Sequence, residues 1–419
     1  MNVAYQGPWP QLSEADALLM DVARRIQLTS TKHEAAERNF RALCQHVDRE
    51  ESPLHNLVVE CYPSGSFATG TAIASRVAKN QHDVDVVIEL NVPPTSRPQV
   101  ILQALFDAIN GDQSSRYHGK VEKKSRCVTV TYDDNTTVDL MPVARFAGGP
   151  ERAGNLFHHR QETGEAYHKP VNPWGFAEHF NAKVEYDPAF YEVFKGRRLL
   201  VEGDSMVKAD TQPMPDHAPI EEKSPRVVAL QLIKRARDIA FRQRGRDRLR
   251  KPPAVVLATI ALEAGPVQAS LVDEVIGVAN AIRKKLAERN GPRGTVQVLN
   301  PVYHPDDFTD RWPENVDAQN LFDGDLRRLV VELHRLKNDN LSLQERSELL
   351  KRLFGESAAQ YAIESLLDAR RHEMEATRLQ VGPKGKILTG AASAAAVAAG
   401  VRTTAARAAT RAGGGYLPE

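Results

Sequence analysis

A chain of 419 residues and 46.4 kDa is too long for one small core and suits two packed lobes with appendages. Hydrophobic residues at 42% and charged residues at 26% describe an ordinary globular protein, which excludes a fibrous or wholly disordered chain. A formal net charge of +1 supplies no global field that would draw the protein onto a nucleic-acid backbone, so a large basic groove is not implied and a local basic patch stays open. The three cysteines, Cys44, Cys61 and Cys127, are far apart and lack the close pair spacing of a zinc site. They read as free thiols of a reducing compartment. Residues 1–11 lack a basic stretch followed by an apolar run, and residues 387–401, mostly Ala and Gly, are too weakly apolar to span a bilayer. A cytoplasmic protein without a membrane segment is expected.

In chain order, residues 13–49 read as helix. Ser13 is placed to cap, and Leu18, Leu19, Val22, Ala23 and Ile26 recur at helical spacing. Thr29-Ser30-Thr31 marks a break or a bend. From residue 56 the character turns to β. Residues 57–61 and 83–90 read as strands, and residues 126–132 and 136–143 flank a hairpin turn at Asp133-Asp134-Asn135. A helix over residues 100–110 interrupts them. Mixed strands and helices predict an α+β lobe over residues 1–203. Beyond about Gly203 no further strand is expected. Helices are predicted over 227–242, 253–264, 271–289, 325–338 and 343–375, the last opened by a capping box of Ser342 and Glu345. Residues 204–375 thus form a helical C-terminal lobe, with the Pro-, Asp- and Lys-rich stretch 204–225 crossing between the lobes. Residues 376–419 carry six basic side chains against one acidic, with few bulky apolar groups. They read as a mobile basic tail or a docking segment for a partner.

The chemistry concentrates between residues 64 and 90. Gly65-Ser66 follows the first apolar strand, where glycine lets backbone N–H groups approach phosphate oxygens. Asp83-Val84-Asp85 heads a strand whose alternation puts both carboxylates on one face. Two such carboxylates repel each other unless a cation lies between them, and magnesium accepts these oxygens while keeping positions open for phosphates. Asp139 sits in a second strand between Val138 and Leu140, on the face of Thr137 and Met141. The three aspartates together predict a site for two magnesium ions, with manganese able to replace them. One ion would activate the attacking hydroxyl and the other would clamp the triphosphate. Asp133 and Asp134 belong to the turn. His158, His159, His168 and His179 have no regular ligand spacing and read as scattered histidines. Trp174 and Phe176 stack a base or pack a loop on the core, and Lys123 and Lys124 form a solvated edge or approach phosphate; the sequence leaves both choices open.

Gly65-Ser66, Thr69-Gly70-Thr71, Asp83-Val84-Asp85 and Val138-Asp139-Leu140-Met141-Pro142 resemble the polymerase-β-like nucleotidyltransferase superfamily. Within it the chain is similar to the bacterial CD-NTases, relatives of cyclic GMP-AMP synthase that make cyclic oligonucleotides in anti-phage CBASS defence. Arg126-Cys127, Asn172-Pro173-Trp174-Gly175-Phe176, Leu230 to Arg235, Asn300-Pro301-Val302 and Asp310-Arg311-Trp312 carry the likeness over most of the chain. The resemblance implies a two-lobed polymerase-β-like fold and template-independent joining of ATP and GTP or another NTP into a cyclic di- or trinucleotide. It implies that Gly65 and Ser66 contact donor phosphate, that Asp83, Asp85 and Asp139 bind the metals, and that Lys234 reaches the triphosphate across the cleft. It also implies a product-sensing effector and regulatory partners of HORMA, AAA+ or conjugation type. Where relatives carry a serine that holds the triphosphate, this chain has Ala254, and Thr259 lies about a turn further on. The readings set against this one are an enzyme modifying RNA or protein, as in toxin–antitoxin pairs, and a silent nucleotide-binding regulator.

Overall fold

A computed structural model describes residues 12–74, 82–134, 136–184, 186–202, 220–246, 248–268 and 270–378. Most of the predicted crossing at 204–225, the tail from residue 379 and the stretch 387–401 therefore lie outside the described residues.

The chain opens with α1 (Glu14–Arg25) and α2 (Ser30–Val47). The Ser13 side chain accepts the Asp16 N–H at the start of α1, and Thr29 caps α2, so the Thr29-Ser30-Thr31 signal separates two helices. There follow β1 (Val58–Pro63), the single turn α3 (Gly65–Ala68), β2 (His82–Leu90) and α4 (Pro98–Asn110). Next come β3 (Val121–Lys123), β4 (Val128–Thr131), β5 (Thr136–Arg145), β6 (Gly154–His159) and β7 (Ala166–Val171). The sheet runs β1-β2-β5-β4-β3, and β6 leaves the far end of β5 to pair with β7. Its centre is the parallel pair β2 and β5, with Asp83 opposite Thr137 and Asp85 opposite Asp139. One face of this pair is apolar: Val84, Val86, Ile88, Val138 and Leu140 are fully buried against α2 and α4. The opposite face is left to the aspartates and, further along, to Val87 and Val143.

The second half holds α5 (Pro173–Asn181), α6 (Pro188–Glu202), α7 (Pro225–Gln243), α8 (Ala254–Leu262) and α9 (Leu271–Ala287). It continues with β8 (Leu299–Asn300), β9 (Tyr303–Asp307), α10 (Val316–Asn338), α11 (Leu343–Phe354) and α12 (Glu356–Arg378). The pair β8 and β9 corrects the expectation that strands end near Gly203: two and five residues, polar on their open side, give no alternating apolar signal. The predicted helix 343–375 is two helices, parted at Gly355 with φ +89°, where only glycine sits without strain. The Ser342 and Glu345 capping box is formed. One continuous apolar core gathers α7 to α12 with Leu18, Leu19 and Val22 of α1 and with Phe190 and Phe194 of α6. The first helix of the chain is thus packed among the last ones. Among the described residues no helix is long and apolar enough to cross a membrane.

Candidate active site

Strand pairing sets the site. Parallel partners present side chains to the same face, so Asp85 and Asp139 stand side by side, with Asp83 one pleat away towards the start of β2. Two of the three carboxylates already have company. Thr137 Oγ1 donates to Asp83 Oδ1 at 2.5 Å, Thr129 Oγ1 donates to Asp139 Oδ1 at 2.5 Å, and Lys124 Nζ lies 3.4 Å from the same oxygen. Lys124, left open by the sequence, therefore faces the third aspartate, while Lys123 donates to Gln103. Burial, then the charges of Asp139 and Asp83, push the Asp85 carboxyl up to about 7. Burial raises Asp83 too, against the Thr137 hydrogen bond, with Asp139 adding to the rise.

Against this trio lies the turn after β1. Ser64 N–H donates to Asp85 O at 2.8 Å, which fixes the turn to the strand. Gly65 has φ +56°, and a Cβ there would overlap the Asp85 carboxylate. Glycine is required on both counts. Ser66 follows in the short turn α3, partly exposed, with no hydrogen-bond partner for its hydroxyl among the described residues. The segment after it is held by the helical lobe. Lys234 on α7 is buried and donates to Thr71 O at 2.7 Å. Burial first, then Arg237, depresses its ammonium to about 7.

Beside the aspartates a cavity of about 260 Å³ opens between the sheet and the helical lobe. Val87, Met141, Val143, Phe176 and Phe308 make its apolar walls, and Asp85, Arg126, Lys169 and Asp306 supply polar groups. Phe176 both lines this space and packs edge-on to Phe308, whereas Trp174 stacks under Arg152 at 3.8 Å, away from the cavity lining. Arg126 is clamped: it donates to His158 Nδ1 at 3.0 Å and to the Tyr167 hydroxyl at 2.7 Å, and it pairs with Asp310. Burial, with Arg126 and Arg311 nearby, pushes His158 down to about 4, so the ring is neutral and its Nδ1 accepts from Arg126. Asp306 on β9 takes Lys169 Nζ at 2.9 Å, Asn172 N–H at 3.1 Å and Asn300 Nδ2 at 3.2 Å. Sequence reasoning noted Arg126, Asn172 and Asn300 only as landmarks and did not find Lys169 or Asp306. Their signal is tertiary, since each is brought to the cavity by the pairing of β7 with β6 and of β9 with β8.

Ala254 lines the cavity and offers no hydroxyl there, and the Thr259 Oγ1 donates to Val255 O at 2.8 Å. The histidines are dispersed: His168 bonds Ser96 O, and His158 serves Arg126. Among the described residues no group of three or more His, Cys, Asp or Glu side chains is set to hold a metal ion as it stands. The aspartates nevertheless fit magnesium in donor type: all oxygen, crowded, and with one carboxyl driven towards neutrality by burial and by its neighbours. All three cysteines are free thiols, Cys127 buried.

A mixed sheet with three aspartates on its central parallel pair, a glycine turn beside them and a helical lobe over the cleft define a nucleotidyltransferase. A family profile described as Second Messenger Oligonucleotide or Dinucleotide Synthetase domain matches residues 15–158, which include every one of those aspartates and the turn. The chain is 29% identical over 350 residues to the cyclic dinucleotide synthase CdnG of Bradyrhizobium diazoefficiens, covering 83% of this chain and 82% of that protein. The structure of that CdnG in complex with GTP superposes with a TM-score of 0.71 at 28% identity, over 85% of this chain and all of the other. A c-di-GMP synthase of Roseivirga ehrenbergii is 22% identical over 82% of this chain and 85% of its own length. The CdnC:HORMA-deltaN complex of E. coli MS115-1 shares the fold, with a TM-score of 0.51 at 15% identity, over 82% of this chain and 97% of the other. Over most of its length the chain is thus similar to the CD-NTases, in sequence and fold to CdnG and in fold to CdnC.

Proposed function

We propose that the protein joins two nucleoside triphosphates, GTP among them, into a cyclic dinucleotide without a template, releasing pyrophosphate at each of two transfers. The carrying observation is the lateral pairing of Asp85 with Asp139 on adjacent strands, beside a turn where glycine avoids a clash with the Asp85 carboxylate. The similarity to a cyclic dinucleotide synthase over four fifths of the chain supports the product class. The cavity beside the aspartates has apolar walls and a few polar groups, the chemistry that holds a nucleobase.

In this reading Asp83, Asp85 and Asp139 hold two magnesium ions, or manganese in their place. When bound, they supply charge neutralisation for the triphosphate and lower the pKa of the acceptor hydroxyl. Asp139 stands nearest the acceptor and receives its proton as the hydroxyl oxygen bonds to the α-phosphorus and the bond to the β-phosphate bridging oxygen breaks. The Gly65–Ser66 turn offers its N–H groups and a hydroxyl to the donor phosphates. Lys234 exchanges Thr71 O for the triphosphate tail. Asp85 is the residue most in need of a cation, since burial first, and then the charges of Asp139 and Asp83, oppose its ionisation. The second transfer repeats the first on the linear intermediate and closes the ring. We further infer an anti-phage CBASS role inside the cell, with an effector that senses the product and a regulatory partner of the HORMA kind found with E. coli CdnC.

Incubating the full chain with labelled ATP, GTP, CTP and UTP plus magnesium tests this reading. It expects small products resistant to phosphatase, with GTP required for the largest yield. Label in RNA or protein, or the absence of any phosphodiester product with every NTP pair, overturns it.

A further inference from the structure

The segment from Gly65 to Ala72 is held by an unusual number of side-chain donors from outside it. Asn181 Nδ2 donates to Ala68 O at 3.0 Å, Lys223 Nζ to Gly70 O at 3.2 Å, and Lys234 Nζ to Thr71 O at 2.7 Å. Gln231 Nε2 reaches Ala72 O at 2.9 Å and Gly70 O at 3.4 Å. Thr69 adds a local bond to Gly65 O at 3.0 Å. Three consecutive carbonyls, of Gly70, Thr71 and Ala72, are therefore tied to residues 223–234 of the helical half. Gln27, just beyond α1, closes the arrangement: its Oε1 accepts Lys223 Nζ at 2.9 Å, and its amide pairs with that of Gln231 at 2.9 and 3.2 Å. Gln231 is completely buried and its donors are committed to this loop and to Gln27.

These donors differ in what they are free to do. Lys234 is a charged group whose partner is a neutral carbonyl, and a triphosphate is a stronger acceptor for an ammonium. Gln231 has no such alternative, because an amide gains little from exchanging two carbonyls for phosphate. Lys223 is held by two neutral acceptors at once, one on each side of the lobe junction. When Lys234 leaves Thr71, the loop keeps its shape only if Gly70 and Ala72 stay fastened.

We propose that Lys223 and Gln231 are positioning residues: with Gln27 they form a standing tether between the helical lobe and the loop that carries Ser66, so that Lys234 can pass to the triphosphate without the phosphate-binding turn losing its place. The proposal rests on the assignment of Ser66 and Lys234 to the donor phosphates. It makes the geometry of the turn depend on residues that touch neither nucleotide nor metal.

The test is steady-state kinetics of the full chain, with Gln231→Met, Lys223→Met, Lys223→Arg and Ser66→Ala singly and Gln231→Met and Lys223→Met each combined with Ser66→Ala. Each methionine variant is expected to raise the KM for NTP about tenfold while kcat changes less than about threefold, and Lys223→Arg to recover most of the loss. Adding Ser66→Ala to either methionine variant is expected to cost little more, because both changes disable one device. Unchanged KM in both methionine variants, or effects that multiply with that of Ser66→Ala, overturns the tether. If Ser66→Ala alone leaves KM unchanged, the phosphate role of the turn has failed, and the tether falls with it for a different and recognisable reason. Should Gln231→Met not fold, the partly exposed position 223 carries the same cycle, and a lowered melting temperature with normal KM there also overturns the proposal.

Discussion

Asp85 of β2 and Asp139 of β5 are register partners across the only parallel strand pair among the described residues, so their side chains emerge next to each other from one face of the sheet. Burial of Asp85, with that adjacency added to it, makes its ionisation costlier in the folded protein than in the unfolded chain. The Asp85 carboxyl is raised to about 7, so between pH about 4 and 7 the folded state holds a proton that the unfolded state has lost. Stability from this group is present at the acid end and disappears as pH rises through 7. In chelator, the melting temperature is expected to fall from pH 5 to pH 8, and Asp85→Asn is expected to raise it at pH 8 by about 2–4 °C. Magnesium at pH 8 should narrow the gap for the wild type and not for the variant. Thermal unfolding with EDTA or magnesium across that pH range checks this.

Asp139→Asn is expected to lower turnover by about a thousandfold or more while the protein stays folded, since it removes the carboxylate proposed to take the acceptor's proton. Thr129 and Lys124 keep the side chain in position, so the loss should appear in kcat. Product formation measured beside circular dichroism separates chemistry from unfolding. Activity within tenfold of wild type would remove Asp139 from the reaction.

Gly65→Ala combines a strained φ with a methyl group driven into the Asp85 carboxylate. The expected cost is about 1–3 kcal/mol in stability and a loss of at least about a hundredfold in kcat/KM. Gly70→Ala has a similar φ of +63° but open space around the added methyl, and serves as the control. It should share much of the stability cost and little of the kinetic one.

Lys234 offers a pH test of its own. Its folded pKa is depressed to about 7, so its stabilising balance improves as pH rises above 7, opposite to Asp85. For the nucleotide the sense reverses, because only the ammonium attracts phosphate. The KM for NTP is expected to rise as pH increases beyond 7, and Lys234→Arg, charged throughout, should flatten that rise. Initial rates from pH 6 to 9 decide it.

Ala254→Ser places a hydroxyl in the cavity wall, where none is supplied by Thr259. The expected result is a KM for NTP lowered by about two- to tenfold, the worth of one ordinary hydrogen bond. An unchanged or higher KM would mean that the triphosphate does not lie along this wall.

Much of the site was legible because its signals are local. Alternation along residues 83–90 and 136–143 put the aspartates on the face they occupy, and Gly65 stands at a turn that its neighbours' strand run already implied. The breaks at Thr29 and Ser342 carried their own caps. What the sequence did not yield depends on distant pairings. β8 and β9 are too short to show a period, and Asp306 acquires its role from Lys169 and Asn300, which reach it from β7 and β8. The split at Gly355 was hidden by apolar spacing that continues through it, with Phe354 and Ala358 both buried. Lys124 reads as a solvated edge or an approach to phosphate until the turn between β3 and β4 brings it to Asp139.

Glu14 on the first helix binds Arg370 on the last at 2.7 Å, across 356 positions of chain, and Arg25 reaches Ser357 in the same interface. Such a closure cannot form before residue 370 has been made. The sheet with its aspartates can form early, but the surface that α1 packs against waits for α12 to emerge from the ribosome. A chain that stops short of α12 therefore carries the acidic strands without the completed helical core into which α1 packs.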